Sequence, residues 1–189
     1  MPFEETETVV NASVQTTSDD KISVEEFVAQ MSHDDRTVAI TAGRELWKLV
    51  RLAGRPSARD ERADVESQLR LALGDNRPND VDREILWMLS EIGGDKSVDA
   101  VAARLSNHNL REDARMALER IPGKKSLAAL RSAFDVAGQD FKSNIVQSLR
   151  ARGVQIEGTP CQKLLPVKES DVRPIVSAGR HPTFGFVGW

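Results

Sequence analysis

The chain of 189 residues has one cysteine, Cys161, and no tyrosine, and its three histidines, His33, His108 and His181, lie far apart. A single thiol excludes an intramolecular disulfide, the usage expected of a protein kept in a reducing cytoplasm. No pair of histidines has the i, i+3 or i, i+4 spacing that aligns two ligands on a helix, so no metal or other cofactor is expected. No apolar run approaches the ~20 residues that span a bilayer, so no membrane contact is expected either. The opening MPFEETETVVNASVQ is acidic and lacks the basic start and apolar centre of a secretory signal. Glycine-rich phosphate loops, a nucleophile elbow and a helix with paired histidines are all missing, which argues against an enzyme. Cys161 stands in a proline-flanked stretch near Lys163 with no helix start to activate it, the setting of a spare thiol and not of a nucleophile.

A large charge excess is absent where a nucleic-acid binder would need it. Residues 33–153 carry 21 basic against 19 acidic residues, and residues 154–189 carry four against three. Affinity for nucleic acid comes largely from phosphate neutralisation, so this near-neutral stretch disfavours it. Residues 1–32 are different, with seven acids against Lys21.

What the chain does have is a motif written three times, VDREILWMLSEIG from Val81, LREDARMALERIP from Leu110 and FKSNIVQSLRARG from Phe141. Aligning Leu89, Leu118 and Leu149 gives periods of 29 and 31 residues, the mark of stacked similar units. In the middle copy Leu110, Ala114, Ala117, Leu118 and Ile121 fall on one side of a helix with 3.6 residues per turn. Val81, Ile85, Met88, Leu89 and Ile92 fill the same positions one unit earlier. Phe141, Ile145, Ser148, Leu149 and Arg152 fill them one unit later, with two positions turned polar. A degenerate copy precedes them at Ala42, Leu46, Leu49, Val50 and Ala53.

A second apolar stripe follows the middle copies, through Val98, Val101, Ala102 and Leu105 and through Leu127, Leu130 and Phe134. Helix pairs are therefore expected at about 34–74, 80–106 and 109–137, followed by an unpaired helix at 140–152 and preceded by a short helix near 24–31. Ser23 with Glu26, Ser57 with Asp60 and Asn109 with Glu112 read as capping boxes, and Asp95 and Asp140 as N-caps. Gly54, Gly93, the Pro122-Gly123 pair and Gly153 read as stops.

The strings LREDARMALERIPGKKSLAALRSAF and VDREILWMLSEIGGDKSVDAVAARL resemble HEAT-like repeats of the short bacterial kind, the type also found in phycobilisome lyases. Leu110-Arg111, Ala114, Ala117-Leu118 and Ile121 match that pattern, with Pro122 where glycine is usual; one copy earlier Asp82 replaces the arginine. The resemblance runs from about 32 to 153. It implies an all-α, right-handed solenoid of about three and a half helix pairs, with the second helices lining a concave side. Exposed positions there, Arg62, Glu66, Arg70, Lys96, Asp99, Lys125 and Arg131, become the candidate contact residues.

The expected function is a non-catalytic protein-interaction or scaffolding module, since extended repeat surfaces suit large, flat recognition. Two other roles follow from the resemblance alone: a chromophore lyase or chaperone related to the phycobilisome lyases, and a nucleic-acid-associated repeat protein. Six cations between Arg111 and Arg131 (Arg111, Arg115, Arg120, Lys124, Lys125, Arg131) outnumber Glu112, Asp113 and Glu119, and such a patch suits an acidic partner. The plainer reading is a solvated face with cations in last helical turns. Trp47 and Trp87 are expected in the core, where aromatic residues at helical spacing usually lie.

The domain layout is then an acidic segment over 1–22 read as disordered, a solenoid over 23–153, and an irregular apolar tail over 154–189 with prolines at 160, 166, 174 and 182. The unpaired last helix leaves part of an apolar stripe open, so the tail is expected to cap it. The competing reading makes the terminal HPTFGFVGW an exposed docking peptide.

Overall fold

Apolar stripes at helical period dictate helices, and every regular element among the described residues is helical. The computed structural model describes residues 23–74 and 77–158. The acidic segment 1–22, Cys161, His181 and the capping or docking role of the tail beyond 158 lie outside the described residues. The helices are α1 (Val24–Met31), α2 (Arg36–Ala53), α3 (Arg59–Ala72), α4 (Asn79–Ile92), α5 (Val98–Ala103), α6 (Arg111–Arg120), α7 (Lys124–Val136) and α8 (Gln139–Ala151), with one 3-10 turn at Arg104–Ser106.

The repeat register holds at the level of burial. All five stripe positions of the copies at Val81 and Leu110 are buried, and so are Phe141, Ile145, Ser148 and Leu149 in the last copy. The aligned anchors Leu89, Leu118 and Leu149 are each fully buried. Neighbouring first helices touch in sequence, α2 with α4, α4 with α6 and α6 with α8. Helices α3, α5 and α7 each contact the first helix that follows, and α1 packs on α2 and α3. One cluster of buried side chains runs through these contacts from Val24 to Leu149.

The two polar stripe positions of α8 have partners in the preceding unit. Ser148 donates to a Glu119 carboxylate oxygen at 2.6 Å and accepts from Arg115. Arg152, at the position of Ile92 and Ile121, lays its guanidinium over the end of α6, donating to the carbonyls of Leu118, Glu119, Ile121 and Gly123 and to the Ser126 hydroxyl at 2.8–3.1 Å. These carbonyls belong to the last turn of α6 and to the turn that follows it, where no further helical N–H is available to them.

Several local expectations need correction. Only the Ser23–Glu26 capping box forms, with both reciprocal bonds present. Helix α3 starts after Ala58 and α6 after Leu110, neither with a side-chain cap. Leu110 is drawn into the core in a helical backbone conformation, so the start is set by burial, and Asn107 instead accepts from the Asn109 N–H. Asp95 and Asp140 are not N-caps: Ser97 precedes α5 and Gly138 precedes α8, which leaves Asp140 in the first turn to pair with Arg111. Gly54 and Gly93 do end α2 and α4. Gly123 opens α7 at φ 108°, a conformation that favours glycine, and a Cβ there would lie 2.6 Å from an Asp95 side-chain oxygen, which would have to move. Trp87 is not core: it is 45% exposed, because it lies off the buried stripe of α4. Trp47 is half-buried against the core. Past Gly153, Val154 and Ile156 pack half-buried on the same core.

Candidate partner-binding surface

The seven candidate contact residues fall into two groups. Arg62, Glu66 and Asp99 with Lys125 are engaged within the molecule. Arg62 crosses from α3 to the end of α2, donating to the carbonyls of Ala53, Gly54 and Arg55 at 3.2, 2.8 and 3.0 Å. Glu66 joins two units, accepting from the Gly94 N–H at 2.9 Å and the Ser97 hydroxyl at 2.7 Å. Lys125 forms an exposed ion pair with Asp99 at 2.6 Å. Arg70, Lys96 and Arg131 make no hydrogen bond or ion pair among the described residues, and Lys96 and Arg131 are exposed.

The six-cation cluster divides in the same way. Arg111 pairs with Asp140 at 2.7 Å, Arg115 with Glu112 and Glu119 at 2.9 and 3.3 Å, and Arg120 with Glu91 at 2.5 Å. The Arg111 guanidinium also stacks on Phe141, 4.8 Å from the ring centre. Its hydrogen bond and its charge hold the exposed Asp140 carboxyl below the usual 3.8. Lys124 and Arg131 are the two that remain without a partner among the described residues.

These pairs belong to a polar ladder along the first helices. Trp47 donates its indole N–H to Glu84 at 2.7 Å, Trp87 and Arg83 donate to Asp113 at 2.8 and 3.1 Å, and Asn144 donates to Glu112. Each step links one first helix to the next. The charges that look free in the sequence of α4 and α6 are largely absorbed here, and separations of 26 to 37 residues hide such pairing from local inspection.

A groove of about 690 Å³ opens beside α7, bordered by the 3-10 turn that follows α5. It is lined by Leu105, Ala129, Ala133, Val136 and Phe141, with His108 and Arg111 at its edge. Val136 is 85% exposed on its lip. Among the described residues no group of three or more histidine, cysteine, aspartate or glutamate side chains could hold a metal ion. No helix among them is long and apolar enough to cross a membrane.

A second charged surface, outside the repeat pattern, lies on α2, where Arg36, Arg44, Lys48 and Arg51 are all exposed. The signal was present in their spacing, since steps of eight, four and three residues return to one side of a helix. A scan against protein-family models finds no match for the chain, and a search of curated proteins finds none either.

Proposed function

We propose that this chain is a binding or scaffolding module of the HEAT-like kind, a solenoid whose second-helix surface receives an acidic partner protein in the cytoplasm without catalysing a reaction. The observation that carries the reading is an asymmetry of charge use. Arg83, Arg111, Arg115 and Arg120 on α4 and α6 are held in ion pairs. Arg70, Lys96, Lys124 and Arg131, on α3, before α5 and on α7, have no partner among the described residues. A cation left in solvent on a rigid frame retains its field for an incoming acidic surface, and acts mainly on encounter rate and specificity.

The repeat contacts support a solenoid because each unit touches chiefly its neighbours, as in quasi-one-dimensional stacks. The test is co-purification of partners from the native host with the wild-type chain and with a Lys124→Glu, Arg131→Glu variant. The same partner should bind the variant less tightly and with a shallower salt dependence. Lys125 is the poorer choice for reversal, since a glutamate there would face Asp99. Equal recovery and equal salt slopes would remove the second helices as the contact surface.

A further inference from the structure

Between Arg36 and Arg55 there are five cations and one acid, Glu45. Arg44, Lys48 and Arg51 share the side of α2 opposite its buried residues Ala42, Leu46, Val50 and Ala53, with exposed Arg36 at the flank of that side and exposed Arg55 just beyond the helix. The line is about 28 Å long at 1.5 Å per residue. Glu45 is engaged with Lys48 at 2.6 Å, Arg51 lies 5.7 Å above the Trp47 ring, and Arg55 donates to the Leu52 carbonyl at 2.9 Å. Arg36 and Arg44 have no hydrogen bond or ion pair among the described residues. Ile40 stands midway between those two and is 42% exposed; Leu52, toward the far end, is 52% exposed.

Two hollows of about 460 and 500 Å³ follow the seam between α2 and α4, and Trp47 lines both. Arg36, Ile40 and Arg44 border the first and Arg51 the second. The acids that α4 places along the seam are already in use. Glu84 accepts from Trp47 at 2.7 Å, Glu91 pairs with Arg120 at 2.5 Å, and Asp80 accepts from the Val81 N–H at 3.0 Å. At the start of α2, Asp35 is bound to the Thr37 N–H, and Asp34 is exposed beside it.

We propose that this side of α2 and its seam with α4 bind an acidic amphipathic helix of a partner protein. Carboxylates at i, i+3 and i+4 on a helix recur about every 4.5–6 Å, the axial spacing of Arg44, Lys48 and Arg51. Ile40 and Leu52 call for apolar cover, which an amphipathic helix provides and a phosphate backbone does not. Residues 33–153 carry 21 basic against 19 acidic residues, so beyond the stripe a long polyanion would find little further positive charge to neutralise. A single helix stays within the stripe, and charges more than ~10 Å away are largely screened at 0.1 M salt. The inference stands apart from the second-helix surface, and different residues report on the two.

The test uses the full chain and a fluorescein-labelled synthetic helix with glutamates at i, i+4 spacing and leucines on the adjoining stripe, read by fluorescence anisotropy. Saturable binding is expected. Arg44→Glu with Arg51→Glu should weaken it about tenfold or more, and Arg44→Gln with Arg51→Gln should weaken it by a smaller factor with a shallower salt slope. Ile40→Ser should also weaken it, whereas Lys124→Glu with Arg131→Glu should leave Kd within about twofold. Circular dichroism checks that each variant is folded, and the glutamine pair decides the matter if the glutamate pair is not. The proposal is overturned if the glutamine or folded glutamate pair binds as wild type, if a peptide with serine for leucine binds equally well, or if single-stranded DNA or phosphatidylserine vesicles displace the helix at equal charge.

Discussion

Arg152 illustrates how a residue that breaks a repeat pattern can serve the stack. By pattern its position belongs to an isoleucine, and by geometry its guanidinium reaches five oxygen acceptors across the end of the preceding unit. Planar forked donors suit such a cluster better than an ammonium, which offers a point charge on a flexible stem. Arg152→Ala should therefore destabilise by about 1.5–3 kcal/mol, the range for hydrogen bonds to a charged group, with the carbonyl-lined turn left short of donors. Arg152→Lys should recover less than half of that loss. Denaturant midpoints of the two variants check this, and a lysine variant as stable as wild type would show that charge alone suffices.

Helix ends and helix bodies respond to different parts of the sequence. Bodies follow the apolar stripe, so α4 and α6 bury the five positions that periodicity picks out. Ends follow local hydrogen bonding in competition with core burial. Ser23 keeps its box, whereas the start of α6 follows the burial of Leu110. At α2 the N-cap is Asp35, whose side chain accepts from the Thr37 N–H at 2.7 Å. That bond, followed by one from the Val38 N–H, lowers the Asp35 carboxyl below its usual 3.8. A lowered folded value means the contribution is fully present above the unfolded carboxylate range and is lost as pH falls through the folded value. Asparagine can accept the same bond without titrating. The thermal midpoint of wild type should consequently fall faster than that of Asp35→Asn between pH 4 and pH 2, two bounds placed about the ordinary carboxylate value. Parallel curves would mean the cap has no linked proton.

At the scale of the molecule, the described residues continue to pack on the core after α8. Val154 donates its N–H to the Leu149 carbonyl at 2.9 Å, and Val154 and Ile156 pack half-buried on the core. A chain ending at Gly153 should melt at a lower temperature than one ending at Gly158, since it loses both side chains, and hydrogen exchange should quicken in α8 before α4. The reason is adjacency: α4 is flanked by α2, α3 and α6, whereas α8 has α6 and α7. Uniform loss of protection would mean the units do not open separately. The sequence by itself determined the helices, their register and the buried stripe, because a 3.6-residue apolar period has one solution for which side faces inward. The second helices were legible less fully, since nothing in DKSVDAVAARL foretells that α5 gives way to a 3-10 turn after Ala103. Only the tertiary structure decided which charges are available. Arg111 and Arg120 are paired while Arg44, Lys96 and Arg131 are not, and that depends on distances between side chains that the chain brings together only by packing one helix on the next.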